Sequence, residues 1–506
     1  MDTSTDARPQ NGEEERTLEA RTWIKATLIF IVVFTLYYLT RSASLDDFDS
    51  VNFALGLHSF DLWNHQPHPP GYPLFIFFGW LGGKVFGLNP ETSLLVVSTL
   101  GGALFISSWF LILRLQFNER LAWWAAACLT IMPGVWMTAT KVLTDSLAAG
   151  FLSAEILATL LFCQRSDKRS LVVAALFGAA ATGTRPQLIP IAILVLVSGL
   201  WRRRASLAVS IFAVGCLIGS CLVWLLPMWY TQWRLQPQIP FWLVYPKLVY
   251  AQWTWRLDKP HAFLGAGDWS VRYLAMRFGG HIFGWFGLGF GMLVSPIAII
   301  VGALVVIMGL AGYVYRRLDI EDRQFWKFHG PWALFHIGII FICLPADQRY
   351  YLVIYPLLAV ALLRGYERLP APYNRLALAL PALLLCIAIP TAIQNHCEEA
   401  PLVRVARYLG TTYSVSQRPN VALLFTQARR HAEWYAPGFR TFLTIPPPSD
   451  LPDLLKNATA VYTDDENLSL PAGWKRFPVA EYKRSPVVYW SRHIVRLFRI
   501  QRSSGS

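Results

Sequence analysis

The strongest constraint on this chain is the recurrence of apolar runs close to the thickness of a bilayer. A helix needs roughly 20 apolar residues to cross about 30 Å of hydrocarbon. Runs near that length follow one another from residue 23 to residue 393 of the 506 residues. Their limits predict spans at 23–40, 92–113, 121–139, 143–163, 171–184, 187–200, 206–229, 283–313, 331–345, 350–363 and 376–393. Composition agrees, with 54% hydrophobic and only 15% charged residues, against about 25% charged in a soluble domain. The expected fold is an α-helical polytopic membrane protein with about eleven transmembrane helices.

The net charge of +14 does not point to nucleic acid. Its basic residues come in short bursts between apolar runs: Arg114 with Arg120, Arg165 with Lys168 and Arg169, Arg202 to Arg204, Arg316 and Arg317 with Arg323 and Lys327, and Arg364 with Arg368 and Arg375. A nucleic-acid surface would be a continuous basic track, whereas bursts of this kind mark cytoplasmic loops. All of them fall on one side if the N-terminus is cytoplasmic and the C-terminus outside. The apolar stretch 72–88 is then not a span, because counting it would throw every later burst outside. Its Gly79, Gly82, Gly83 and Lys84 suit an interfacial or re-entrant helix covered by protein.

This topology divides the chain into a cytoplasmic tail (1–22), a membrane module (23–393) and an outer-face region (394–506). In the last, "NVALLF" and "TAVYTD" read as strands, with helix-like "TQARRHAEWY" and "LPDLLKN" between them, so a small α/β domain is expected. The module's outer loops are 41–91 and 230–282. Trp229, Trp233, Trp242, Trp253, Trp255 and Trp269, around the second, read as an interfacial aromatic belt, with stacking on sugars as the alternative. The seven cysteines form no CxxC pair and indicate neither metal nor redox chemistry.

The first outer loop carries the densest set of ionisable groups. Asp46, Asp47 and Asp49 are followed by His58, His65 and His68 and by "HPPGYPLF". The same face collects Lys141 and Asp145 of "TKVLTD", Arg185 of "GTRPQ" and Arg349 of "PADQRYY". Charges at membrane depth usually line a cavity. A carboxylate there can act as general base for a hydroxyl, and guanidinium groups can hold a phosphate leaving group. Glycosyl transfer from a lipid-linked sugar phosphate needs both. Neither GxxxxGK[ST] nor GxGxxG after a strand is present.

"FDSVNFALG" (48–56) resembles the first-loop motif of protein O-mannosyltransferases, and "HPPGYPLF" (68–75) is similar to the Pro-Pro element that follows it in GT-C glycosyltransferases, closest to a bacterial family of unknown function. "TKVLTDSLAAGF" and "DQRYYLVIYPLLA" resemble later helix starts of the same superfamily. The resemblance implies a GT-C fold and an inverting transferase using a polyprenyl-phosphate sugar donor and a hydroxyl acceptor. It makes Asp49 the catalytic base, with Asp47 in reserve because Ser50 stands where the family usually has Glu. Arg349 with Lys141, Arg185 and Tyr350 would bind donor phosphate, and His68, Tyr72 and Asp145 would contact substrate. Asp46 is read as a solvated neighbour.

No cofactor is expected, since a monophosphate leaving group can be neutralised by arginine and lysine. A metal held by Asp46, Asp49, His65 and His68 is the alternative. The expected location is a bacterial inner membrane, or the endoplasmic reticulum, with the site facing periplasm or lumen. A lipid-linked-sugar transporter or flippase and a non-catalytic assembly subunit are the rival readings.

Overall fold

A computed structural model describes residues 10–254, 271–315, 318–343, 347–442, 444–447, 449–487 and 493–502. Residues 1–9 of the tail, Arg316, Arg317, Trp255 and Trp269 lie outside the described residues.

The chain begins with α1 (Gln10–Leu39), then crosses the first loop through α2 (Phe48–His58) and α3 (Pro73–Phe86). There follow α4 (Pro90–Gln116), α5 (Glu119–Ile131), α6 (Pro133–Ala139), α7 (Thr144–Arg165), α8 (Lys168–Thr184), α9 (Ile189–Arg202) and α10 (Leu207–Leu235). The second half holds α11 (Phe241–Thr254), α12 (Val271–Ile282), α13 (Pro296–Tyr315), α14 (Ile320–Cys343), α15 (Tyr355–Arg368) and α16 (Ala379–Cys397). Helices fall in all eleven stretches predicted to span. By length and apolarity alone, six described segments qualify as spans, or seven if α5 and α6, bent by 62° at Met132–Pro133, count as one. The protein is an integral membrane protein of mostly helical structure.

One expected span is broken. The run 283–313 becomes a π-helical turn, Phe283–Gly289, continuous with α12, then a short connection and α13. Glycines 284, 287, 289 and 291 and Pro296 weaken a continuous helix there. The 72–88 stretch forms α3, whose 14 residues reach about 21 Å at 1.5 Å per residue, short of the hydrocarbon thickness.

Helices pack through small residues, as expected where lipid supplies no hydrophobic drive. A Cβ at Gly101 of α4 would strike the backbone of Leu147 on α7, and one at Gly365 of α15 would strike the Gly309 carbonyl of α13. Trp109, Phe110, Trp332, Tyr355 and Tyr366 fill the core between them.

The C-terminal region forms α17 (Pro401–Thr412), β1 (Val421–Leu424), α18 (Arg429–Tyr435), β2 (Arg440–Thr441), α19 (Leu451–Asn457), β3 (Ala460–Thr463), β4 (Trp474–Lys483) and β5 (Ile494–Arg502). Both expected strands and both helices are present. The sheet order is β2-β1-β3-β5-β4, with β1 parallel to β2 and β3, and β5 antiparallel to β3 and β4. At the C-terminal ends of β1 and β3 the backbone N–H groups of Thr426, Gln427 and Ala428 donate to the Asp464 carboxylate at 2.7–2.9 Å.

Candidate active site

Asp47 starts α2. Its extended backbone and its side chain, which accepts the Asp49 N–H at 2.9 Å, make it the N-cap, a role that short carboxylates fill well. The cap places Asp49 in the first turn, where the helix dipole favours negative charge. The next residue, Ser50, turns inward and donates to the Val142 carbonyl at 2.8 Å. Position 50 is therefore spent on packing, and Asp47 and Asp49 are the two carboxylates at the start of α2.

The chain leading into the "HPPGYP" turn packs against α2, since Gly56 leaves room for Pro67, whose Cδ would lie 2.8 Å from an added Cβ. Gly71 at φ +108° takes a conformation that side chains resist. This turn brings His68 Nε2 to 3.6 Å from Asp49 Oδ1 and to 2.9 Å from Tyr72 Oη. The His68 and Tyr72 rings pack on Phe53.

Across from α2, residues 348–351 form a single 3₁₀ turn ahead of α15. Asp347 accepts the Arg349 Nε–H at 3.1 Å and so fixes that edge of the guanidinium. The free edge then points at α2, with Nη1 donating to Asp49 Oδ2 at 3.0 Å and lying 4.0 Å from Asp47 Oδ2. The Arg349 and Arg185 guanidiniums lie 5.6 Å and 4.9 Å from the centre of the Tyr350 ring. Arg185, just past α8, is also ion-paired with Asp145.

Electrostatics separate the two carboxylates. Burial pushes the Asp49 carboxyl up, but the neighbouring His68 and Arg349 charges and the Arg349 hydrogen bond outweigh it and hold the group below the usual carboxylate range. For Asp47 burial wins over Arg349 and is helped by the Asp49 charge, which takes it up to about 6. Burial also lowers the His68 imidazole, and Arg349 adds to that against the pull of Asp49, so His68 is mainly neutral at pH 7. At that pH Arg349 is the main positive charge on Asp49. Side-chain exposures of 25% for Asp49 and 31% for Asp47 leave both open to an incoming group.

The sequence-predicted residues thus divide into two groups. Asp47, Asp49, His68, Tyr72, Arg349, Tyr350, Arg185 and Asp145 form one connected cluster. Asp145 sits there as the counter-ion of Arg185, with its side chain 4% exposed, not as an open substrate contact. Lys141 belongs elsewhere. It donates to Asp46 Oδ2 at 2.7 Å in a pair with 3% and 1% exposed side chains, so it is not aimed at the mouth and Asp46 is not a solvated neighbour. Asp347, Arg484 and Asn395 were not foreseen. Asp347 had a readable signal, an acid two residues before an arginine in "DQR". Arg484, which reaches Asp46 from 438 residues away, had none.

Among the described residues no group of three or more His, Cys, Asp and Glu side chains is arranged to hold a metal, and Asp46, one of the four weighed, is committed to its cations. Beside the cluster, α2, α3 and α10 enclose an apolar cavity of about 470 Å³ lined by Leu57, Phe60, Leu74, Phe77, Trp80 and Trp224. Leu74 and Trp224 also abut Gly183, two residues before Arg185, so the cavity wall reaches the charged cluster.

Residues 67–230 match the sequence family described as dolichyl-phosphate-mannose-protein mannosyltransferase. No curated protein matches the chain. Among solved structures, ArnT from Cupriavidus metallidurans bound to undecaprenyl phosphate is similar with a TM-score of 0.55 and 14% identity, over 94% of this chain and 97% of that one. The oligosaccharyltransferase of Archaeoglobus fulgidus, tethered to an acceptor peptide containing the NVT sequon, is similar with a TM-score of 0.52 and 12% identity, over 87% and 69%. These likenesses show that the chain shares the fold of both structures, the GT-C architecture.

Proposed function

We propose that the protein moves a sugar from a polyprenyl-phosphate donor to an acceptor hydroxyl, with inversion, at the cytoplasm-distal face of the membrane. The observation that carries this reading is the 3.0 Å contact between Asp49 and Arg349, which joins a base and an anion-binding group from opposite ends of the module at one mouth. The likeness to ArnT, solved with undecaprenyl phosphate, supports a lipid-phosphate donor.

In the reaction the acceptor oxygen attacks the anomeric carbon, the bond from that carbon to the phosphate oxygen breaks, and the hydroxyl proton passes to Asp49. The polyprenyl phosphate leaves with the bonding electrons, held by Arg349 and Arg185. An arriving phosphate competes with Asp49 for Arg349 Nη1, and that exchange raises the basicity of Asp49 when the donor is in place. Tyr350, between the two guanidiniums, keeps them facing one site. His68 and Tyr72 border the acceptor side, and the apolar cavity along α3 and α10 takes the first isoprene units.

The test is sugar transfer in detergent from a defined polyprenyl-phosphate donor, with and without EDTA. General-base help is worth about 10²–10⁴-fold, so Asp49→Asn should lose that much rate while remaining folded. Unchanged transfer by purified Asp49→Asn would falsify the assignment of the base. A transporter or an assembly subunit would give no product at all.

A further inference from the structure

The loop that carries Asp49 is gripped by the C-terminal sheet region as well as by membrane helices. Arg484 follows β4, and its backbone N–H donates to the His493 carbonyl at 2.7 Å, which ties its turn to the start of β5. Its side chain is fully buried. Nη1 donates to Asp46 Oδ2 at 3.0 Å, while Nη2 donates to the Asn395 carbonyl at 3.3 Å and to Asn395 Oδ1 at 3.1 Å, at the end of α16. Nearby, the Leu45 N–H donates to Tyr435 Oη at 2.9 Å, and Arg430 donates to the Asn64 carbonyl at 2.7 Å. Trp434 donates to Glu91 at 2.7 Å and packs on the His58 ring. These contacts bracket α2 on both sides.

Lys141 also meets the Asp46 carboxylate at 2.7 Å, so Asp46 accepts from two buried cations. Desolvating the second cation is costly, and what it adds is a fork joining three separate elements: the C-terminal sheet, the end of α16 and the residue next to the α2 cap. Asp46 immediately precedes Asp47, so a shift at Asp46 passes directly to the capping turn and to Asp49.

We propose that Arg484 is a positioning residue, through which the C-terminal region fixes the start of α2 and the angle at which Asp49 meets Arg349. The catalytic part of this proposal rests on the sugar-transfer reading above. Arg484 acts through Asp46 and touches neither donor nor acceptor.

The experiment uses the full chain in detergent with Arg484→Gln and Arg484→Lys, and reads both transfer kinetics and amide hydrogen exchange. In Arg484→Gln, exchange should rise in peptides covering 44–58 and stay unchanged in α10. Its kcat should fall about tenfold to hundredfold, the scale of a misplaced reacting group, with the donor KM unchanged because the apolar cavity is intact. Arg484→Lys keeps the charge on Asp46 but cannot also hold both Asn395 oxygens, so its kcat should lie between the two. Unchanged exchange over 44–58, unchanged kcat, or a uniform rise in exchange with kcat and KM altered together would overturn the proposal. If the wild type transfers no sugar, the functional reading fails, and the exchange measurement still decides whether Arg484 sets α2.

Discussion

Replacing Arg349 tests the core of the site, because one side chain has two separable jobs. Arg349→Ala removes the donor to Asp49 at 3.0 Å and the partner of Asp347 at 3.1 Å, leaving Asp47, Asp49 and Asp347 together without their central cation. A hydrogen bond to a charged group is worth about 1.5–3 kcal/mol, so two lost donors to a leaving phosphate amount to about 3–6 kcal/mol. At about 1.4 kcal/mol per decade of rate that is roughly 10²–10⁴-fold. Arg185 remains over Tyr350, so the lower half of that range, about 10²–10³-fold, is expected. Arg349→Lys keeps a charge but loses the planar fork, and a loss of about tenfold to hundredfold should result.

The second job gives a sign. Burial pushes Asp49 up and Arg349 helps hold it down, so without the guanidinium the Asp49 carboxyl rises. His68 is released from the same repulsion and gains proton affinity beside Asp49, which limits the rise without reversing it. A base must be ionised to work, so the acid limb of the pH–rate profile should move to higher pH in Arg349→Ala. The deficit against wild type should therefore be larger at pH 5.5 than at pH 8. Initial transfer rates across that range are the assay, with thermal unfolding in detergent to exclude misfolding. Wild-type rates in Arg349→Lys would refute the reasoning, as would an Arg349→Ala deficit that shrinks toward acid pH.

The other predictions address the neighbouring groups. Asp47 and Asp49 repel one another, and the upper step of the pair lies at about 6. Asp47→Asn should retain activity and leave the acid limb, which Asp49 sets, no higher than in wild type, whereas loss of all activity would make Asp47 the base. Asp46→Asn strands two buried cations, Lys141 and Arg484, and breaking a buried pair typically costs about 3–5 kcal/mol; its melting temperature should drop clearly in a detergent melt. Met228→Trp, which fills the apolar cavity between α3 and α10, should raise KM for long-chain donors more than for donors truncated to one or two isoprene units.

The sequence was most informative where one local pattern decides the outcome. Apolar runs near 20 residues fixed the positions of the helices, and glycines with Lys84 marked 72–88 as too poor a span. The same glycine signal was present at 284–291 and should have predicted the break that separates α12 from α13. In the site, the residue types of the mouth were readable because carboxylates and arginines are rare among apolar runs. Their pairing was not readable. Nothing in the chain says that Asp145 is committed to Arg185, or that Lys141 turns away to Asp46, because partners 40 and 95 positions apart are chosen by helix packing rather than by periodicity. The β4–β5 pair was missed because β4 alternates around a mostly exposed face and lacks the apolar run that revealed β1 and β3.

The Asp464 contacts bear on what the C-terminal region can become. In sheets with parallel strands, ligands commonly settle in the crevice at the carboxyl ends of the strands, where exposed N–H groups receive an anion. Here the N–H groups after β1 already hold a carboxylate supplied by the turn after β3. A nucleotide or sugar phosphate arriving at that crevice would have to evict a tethered competitor whose effective concentration no free ligand matches. The crevice is thereby occupied from within the chain, which fits the bracing part proposed for this region on the loop that bears Asp49.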